Sequence, residues 1–314
     1  MEVAFADCGR CTSPENSAAG MPEGHVDGGE PDYLLILNDD VELHPNAIER
    51  MVSCAEANAQ VAIVAPAIIV HGDPVRLNAA GSSLLPCGFY SARGKDHDYR
   101  EYRQSREIAA ASGCCFLYRS SAYRELGGFD GVFDSLPGAW HASAEDLDLC
   151  WRAWRAGYSV RYEPGAVLWH KYRQRPLHAQ RYASLLSGRL AFLALNVPQR
   201  TLLSMLPALI LTEMALAAYS VLRGPAFVAS WIAGYRWLWG SRRRLRELRG
   251  LRCARSRAPE ASLNLLMQSK IRLSPSVERN PLLHAAAHLW FGVNALALGA
   301  FSLSALIPIQ GERR

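Results

Sequence analysis

Several absences narrow this chain before any motif is read. Its opening residues hold no basic stretch followed by an apolar run, so no signal peptide is expected. There is no glycine-rich loop that would cradle a phosphate, which argues against a nucleotidyl or phosphoryl transferase. The eight cysteines include a single C-x-x-C, Cys8 to Cys11, with no second pair to complete a zinc site. Cys54, Cys114 and Cys115 lie in apolar or helical runs and read as core thiols. Reduced thiols on the cytoplasmic side are the simplest reading. Residues 1–32 are poor in large apolar residues and rich in Gly, Pro, Glu and Asp, so loop or disorder is expected there. Residues 241–257 carry eight arginines against Glu247, yet no aromatic stacking pattern or reader motif accompanies them. Nucleic acid is therefore not an expected partner. A solvated basic linker or helix face remains open, but the position between two apolar stretches favours anionic lipid headgroups.

What is present is core-forming sequence. The chain has 314 residues, 50% hydrophobic and 20% charged, enough for one large domain or two smaller ones. Residues 33–37, YLLIL, run straight into Asn38-Asp39-Asp40. A short, continuous apolar run bounded by polar residues reads as a strand buried on both faces, for which parallel neighbours on both sides are expected. A helix is expected over 45–58, with Ile48, Met51, Val52 and Ala55 on one face. Strands are expected at 61–66, 109–119, 158–162 and 166–169. Helices are expected from Ser120 to the Gly127-Gly128 stop and over 144–158. Residues 71–108 read as a long excursion with little regular structure and a hairpin near Gly81. Strands alternating with helices make this an α/β fold.

Beyond residue 177 the character changes. Residues 201–222 form a run with one charge, Glu213, and 282–309 a run with no formal charge. Both reach the ~20 residues that span a bilayer. Buried or interfacial helices are the competing reading, kept open by Pro207, Glu213 and Arg236. Trp231, Trp237 and Trp239 near the arginines suit a headgroup-level belt.

Candidate chemistry sits at element ends. Asp39 and Asp40 close a central strand, where open α/β sheets bind ligands, and carboxylates there suit Mg²⁺ or Mn²⁺. Glu145 and Asp146 open a helix, where a general base could accept a hydroxyl proton. Each acidic pair alone also fits a favourable helix-dipole or surface arrangement. His170, directly after another strand, could be a second metal ligand. Together these parts would serve transfer from an activated nucleotide donor to an alcohol.

Three blocks, LLILNDDVELHPNAI (34–48), ASGCCFLYRSSAYRELGGFD (111–130) and EDLDLCWRAWRAGYSVRYEPGAVLWH (145–170), carry a resemblance to a known family. Over about residues 33–195 the chain resembles the family 2 glycosyltransferases of GT-A fold, especially bacterial rhamnosyltransferase-like members. The resemblance implies a Rossmann-like mixed sheet with flanking helices, and the apolar runs beyond it a membrane-associated helical region over 196–314. It implies an inverting transfer from a nucleotide-diphosphate sugar to a lipid-linked or cell-surface polysaccharide acceptor, at the cytoplasmic face of the membrane. Asp40 would be the principal metal ligand, with Asn38 and Asp39 at the sugar or diphosphate. Asn38 stands where the family's first carboxylate usually is. Asp146 would be the base with Glu145 beside it, and His170 would complete the metal site. Gly113 would allow close backbone approach. Asp148, Trp151 and Arg152 would support the helix.

The chain departs from the family pattern upstream. Only 37 residues precede Asn38, and no βαβ pattern is visible among them, so the nucleoside-binding part is expected to be missing. The strand at 33–37 would then be an exposed edge. A truncated, non-catalytic scaffold on the membrane is the alternative that follows. Residues 131–144, with Trp140 and His141, are an insertion that reads as an acceptor loop or a plain surface loop.

Overall fold

The computed structural model describes residues 3–7, 30–138, 144–172 and 176–299. The Cys8–Cys11 motif, Trp140, His141 and the run beyond residue 299 lie outside them. Ten strands appear in chain order: β1 (Val3–Asp7), β2 (Tyr33–Leu37), β3 (Val41–Leu43), β4 (Val61–Val70), β5 (Leu77–Ala79), β6 (Ser82–Leu84), β7 (Tyr90–Ala92), β8 (Arg106–Glu107), β9 (Cys115–Arg119) and β10 (Ser159–His170). Eight of them form one sheet with the central order β1-β2-β9-β4-β10-β3. The pairs β1–β2 and β4–β10 are parallel, whereas β9 and β3 run against their neighbours. The sheet is therefore mixed, as expected.

Both faces of β2 are covered. Leu34 and Ile36 enter one core cluster, Tyr33 and Leu35 another. Successive side chains alternate across a strand, so one apolar run feeds both layers. The expectation of two parallel neighbours is corrected on one side, where β9 is antiparallel. An apolar run reports burial on two faces, not the direction of the adjoining chain. The expected exposed edge is also corrected. β1, within a segment expected to be loop, pairs with β2 from Val3–Tyr33 to Asp7–Leu37. Strand β4 is buried throughout its ten residues and passes through Pro66 without a break. The two strands expected at 158–162 and 166–169 are one, β10, with a register shift between Glu163 and Val167 that absorbs Pro164 and Gly165.

Helix α1 (Ala47–Glu56) lays Ala47, Met51 and Ala55 on the sheet. Helix α2 (Ser120–Leu126) stops at Gly127, whose φ of +77° is the left-handed turn that glycine makes at little cost. Helix α3 (Glu145–Arg155) carries the acidic cluster and packs on α4 (Ala179–Asn196). The 71–108 excursion is more ordered than expected. It holds β5 to β8, and its hairpin is β6–β7 around Gly88 rather than at Gly81. Strands of two or three residues are too short for a period to register in sequence.

The C-terminal region is α5 (Gln199–Ser204), α6 (Leu206–Arg223), α7 (Pro225–Gly240), α8 (Arg242–Ala254), α9 (Glu260–Asn264), α10 (Pro275–Glu278) and α11 (Pro281–Gly299). The 201–222 run breaks at Met205. Among the described residues α6 is the one helix long and apolar enough to cross a membrane, with mean hydropathy 1.4 over 18 residues. The basic segment is not a linker. Arg249 in α8 donates to the Ala194 and Val197 carbonyls at the end of α4, 3.1 and 2.7 Å away, where a cation favours the helix dipole. Arg252 enters the core. Its guanidinium bonds Asp148 and lies 2.6 Å from Asp130 Oδ2. Asp148, fully buried, also takes Arg152 at 2.8 Å and the Asn196 amide at 2.7 Å. Burial alone would raise the Asp148 carboxyl, but Arg152 and Arg252 outweigh it and hold it below the usual range.

Arg252→Met leaves Asp148 one arginine short in a dry site. A loss of about 3–5 kcal/mol is expected, read as a lower urea midpoint. Arg243→Ala, at an exposed position of α8, is expected to shift stability by less than about 0.5 kcal/mol.

Candidate active site

The end of β2 turns through Asn38, Asp39 and Asp40 into β3, which pairs antiparallel with the end of β10. That pairing sets Val41 opposite His170, and the Lys171 N–H donates to the Asp40 carbonyl at 2.9 Å. The Asp40 carboxylate thereby lies beside the His170 ring, with Oδ1 3.1 Å from Nε2. On the other side of the ring, Nδ1 lies 3.1 Å from Asn78 Oδ1, an oxygen that can only accept. The ring thus stands between two acceptor oxygens, one beside each nitrogen, and the single proton of the neutral form serves one of them. Burial lowers the His170 pKa and Asp40 only partly offsets this, so the imidazole is neutral near pH 7. The Asp40 Oδ1 atom is shut away from water, with the His170 ring nitrogen 3.1 Å from it.

A carboxylate oxygen and an imidazole nitrogen side by side are also a donor set for a divalent cation. A carboxylate–imidazole pair suits Mn²⁺ or Mg²⁺ when diphosphate oxygens and water complete the shell. Among the described residues no group of three or more His, Cys, Asp or Glu converges on one point. Asp39, by contrast, is exposed.

The second half of the site is the start of α3. Asp146 is 9% exposed. The Gly113 N–H donates to its Oδ2 at 2.9 Å, the Leu147 N–H to Oδ1 at 2.7 Å, and the Tyr90 hydroxyl to Oδ1 at 3.4 Å. Burial, followed by the charge of Glu145, pushes the Asp146 carboxyl up to about 7, against these three hydrogen bonds. Glu145 itself has a buried Oε2 without a hydrogen-bond partner among the described residues. Asp146 and Asp148 lie two residues apart on one helix and are shifted in opposite directions. A pair driven apart in this way separates a proton-transfer group from a structural ion.

One segment joins the two halves. The Cys114 carbonyl accepts from the Asn38 N–H at 2.9 Å, and the Gly113 N–H holds Asp146. A methyl group at Gly113 would meet Asp146 at ordinary distances, 3.5 Å or more. Its N–H is what the geometry uses. Tyr90 and Asn78 carried no sequence signal. Both come from the 71–108 excursion and meet partners 56 and 92 residues away in the chain.

The model of the family described as "Glycosyltransferase like family 2" matches residues 10–186, more than half of the chain. A Pre-mycofactocin glycosyltransferase of Mycobacterium tuberculosis is 32% identical over 173 residues, 54% of this chain and 33% of its own length. An N-acetylglucosaminyl-diphospho-decaprenol L-rhamnosyltransferase of the same organism is 29% identical over 181 residues, 53% of this chain and 57% of its own length. The chain thus spans about a third to somewhat over half of these curated relatives. Of solved structures, GalNAc-T7 with UDP, GalNAc and Mn²⁺ aligns with 62% of this chain and 36% of that one, at TM-score 0.43 and 13% identity. By the extent of the family match, the chain belongs to the family 2 glycosyltransferase-like proteins.

Proposed function

We propose that the chain catalyses an inverting transfer of a sugar from a nucleotide-diphosphate donor to a hydroxyl of a lipid-linked or polysaccharide acceptor. The observation that carries this reading is the Gly113-Cys114 segment, which hydrogen-bonds both the strand end bearing Asp40 and the carboxylate of Asp146. Donor and acceptor chemistry would then meet across two adjacent residues. The name of the rhamnosyltransferase relative identifies a decaprenol-linked sugar as its substrate, which supports a lipid-linked acceptor here.

In this mechanism Asp146 takes the proton of the acceptor hydroxyl as that oxygen attacks the anomeric carbon. The bond from that carbon to the diphosphate breaks, its electron pair leaves with the diphosphate, and a single displacement inverts the centre. Gly113 and Tyr90 hold the two Asp146 oxygens in place. Asp40 and His170 would hold the divalent cation, which supplies Lewis-acid stabilisation of the leaving group. Asn38 and Asp39 would face the donor, and Glu145 keeps the Asp146 carboxyl near the working pH.

The membrane part of the reading rests on α6. Leu206, Ile210, Met214 and Val221 recur on one face and are 47–70% exposed, whereas Ala208 and Thr212 on the opposite face are buried and Thr212 accepts from the Trp290 indole N–H at 3.2 Å. A helix apolar outward and anchored inward supports a contact with the cytoplasmic leaflet.

Three outcomes test these statements. Asp146→Asn and Asp40→Ala are each expected to lower transfer to a soluble acceptor analogue by about 100-fold or more, and full activity in both would sink the proposal. Because the Asp146 pKa is raised, the base is protonated below pH 7. The rate kcat/KM should therefore climb tenfold per pH unit up to about 7 and then level, as measured in a pH series. Finally, Ile210→Glu with Met214→Glu should lower flotation with anionic vesicles, while melting stays near wild type.

A further inference from the structure

The turn over residues 93–98 holds its backbone under local constraint. Asp96 has φ +65° and is the one non-glycine residue with positive φ among those described. Such conformations persist where surrounding structure enforces them, and they cluster at functional sites. Here the enforcement is visible. The Leu77 N–H bonds the His97 carbonyl and the Asp96 N–H bonds the Leu77 carbonyl, both at 2.8 Å, while Arg76 pairs with Asp96 at 3.3 Å. Gly94 completes the fit, since a Cβ there would meet Leu77 at 2.5 Å and Tyr102 at 2.7 Å.

The constrained turn presents Lys95. Its ammonium donates to the Tyr172 hydroxyl at 3.2 Å and sits 5.0 Å from the centre of that ring. The Tyr172 ring in turn lies 5.6 Å from the His170 ring. One aromatic ring therefore separates Lys95 from the Asp40–His170 pair. The same strand, β5, supports both: Leu77 holds the turn, and Asn78 orients His170. Lys95 also differs from its basic neighbours. Lys171 is neutralised by Glu42 at 2.8 Å, and Arg93 is stacked over Tyr102 and bonded to the Ala80 carbonyl. No carboxylate stands within ion-pair distance of Lys95 among the described residues. Among the described residues its contacts are a neutral hydroxyl and a ring face.

We infer that Lys95 is a binding residue for the diphosphate of the donor, and that it receives the negative charge that accumulates as the sugar–phosphate bond breaks. The inference rests on the glycosyl-transfer reading above. An ammonium with three donors suits a phosphate oxygen approached from one side. The Tyr172 hydroxyl parks it beside the site until the anion arrives. A backbone held in an uncommon conformation keeps the point of charge in place, so little ordering is needed on binding.

The test uses the full chain and inorganic pyrophosphate with Mn²⁺, followed by calorimetry. Lys95→Ala should weaken pyrophosphate binding about tenfold or more, with the melting temperature little changed. Tyr172→Phe removes the parking partner but keeps the ammonium, and should bind within a few-fold of wild type. Asp40→Ala separates the two ideas. If it loses binding while Lys95→Ala binds like wild type, the Lys95 inference is overturned and the site reading stands. If both bind like wild type, the site reading falls as well. If Tyr172→Phe loses as much as Lys95→Ala, Lys95 serves only to brace β10, and the inference is likewise overturned.

Discussion

The buried Asp148 carboxylate is the constraint on which the rest depends. A charge taken wholly out of water is tolerated only when its partners are complete. Here Arg152 comes from the same helix, Arg252 from α8 and the amide of Asn196 from the end of α4. Arg152 also reaches the Leu126 and Gly128 carbonyls, and Arg252 reaches Asp130. The carboxylate thus gathers α2, the Gly-Gly-Phe-Asp turn, α3, α4 and α8 around one point. The C-terminal helices are consequently part of the same body as the sheet.

That arrangement also fixes where Asp146 sits. With Asp148 anchored half a turn away, the start of α3 is held against the 111–115 segment, and Asp146 meets the Gly113 N–H. The two carboxylates share a helix and near-complete burial, yet their charges have opposite fates. Asp148 has two guanidinium partners; Asp146 has neutral donors and a like charge in Glu145. The difference lies in the partners rather than in burial. It makes one group a structural ion and leaves the other able to exchange a proton near neutrality. In stability terms, the Asp148 contribution is present above the ordinary carboxylate pKa and fades as acid protonates it. That of neutral Asp146 is present below the ordinary value and fades as pH rises through about 7.

Much of this was legible in sequence, for identifiable reasons. YLLIL declared a buried strand because it is apolar at both parities, and it delivers Asp40 to the sheet end. The Gly127 and Gly157 stops marked α2 and α3 because a left-handed turn favours one residue type. What failed were features carried by single contacts between distant residues. Tyr90, Asn78 and Lys95 lie in an excursion of short strands, and nothing local distinguishes them from surface residues. The arginine-rich stretch is a helix with most of its arginines at the surface, yet part of it turns inward. Its composition suggested a solvated or lipid-facing segment, but one arginine is paired in the core and another caps α4.

Local pattern alone determined the α/β class, the strand-end position of Asp40, the helix-start position of Glu145 and Asp146, and the outlying apolar character of the C-terminal third. These follow from periodicity and from residues whose backbone preferences are nearly unique. Only the tertiary structure decided that β9 runs antiparallel to β2, that β1 covers its other edge, that His170 lies between Asp40 and Asn78, and that Asp146 and Asp148 titrate apart. Each of these depends on which groups approach one another through space, and charge, hydrogen bonding and desolvation act over a few ångströms whatever the separation along the chain.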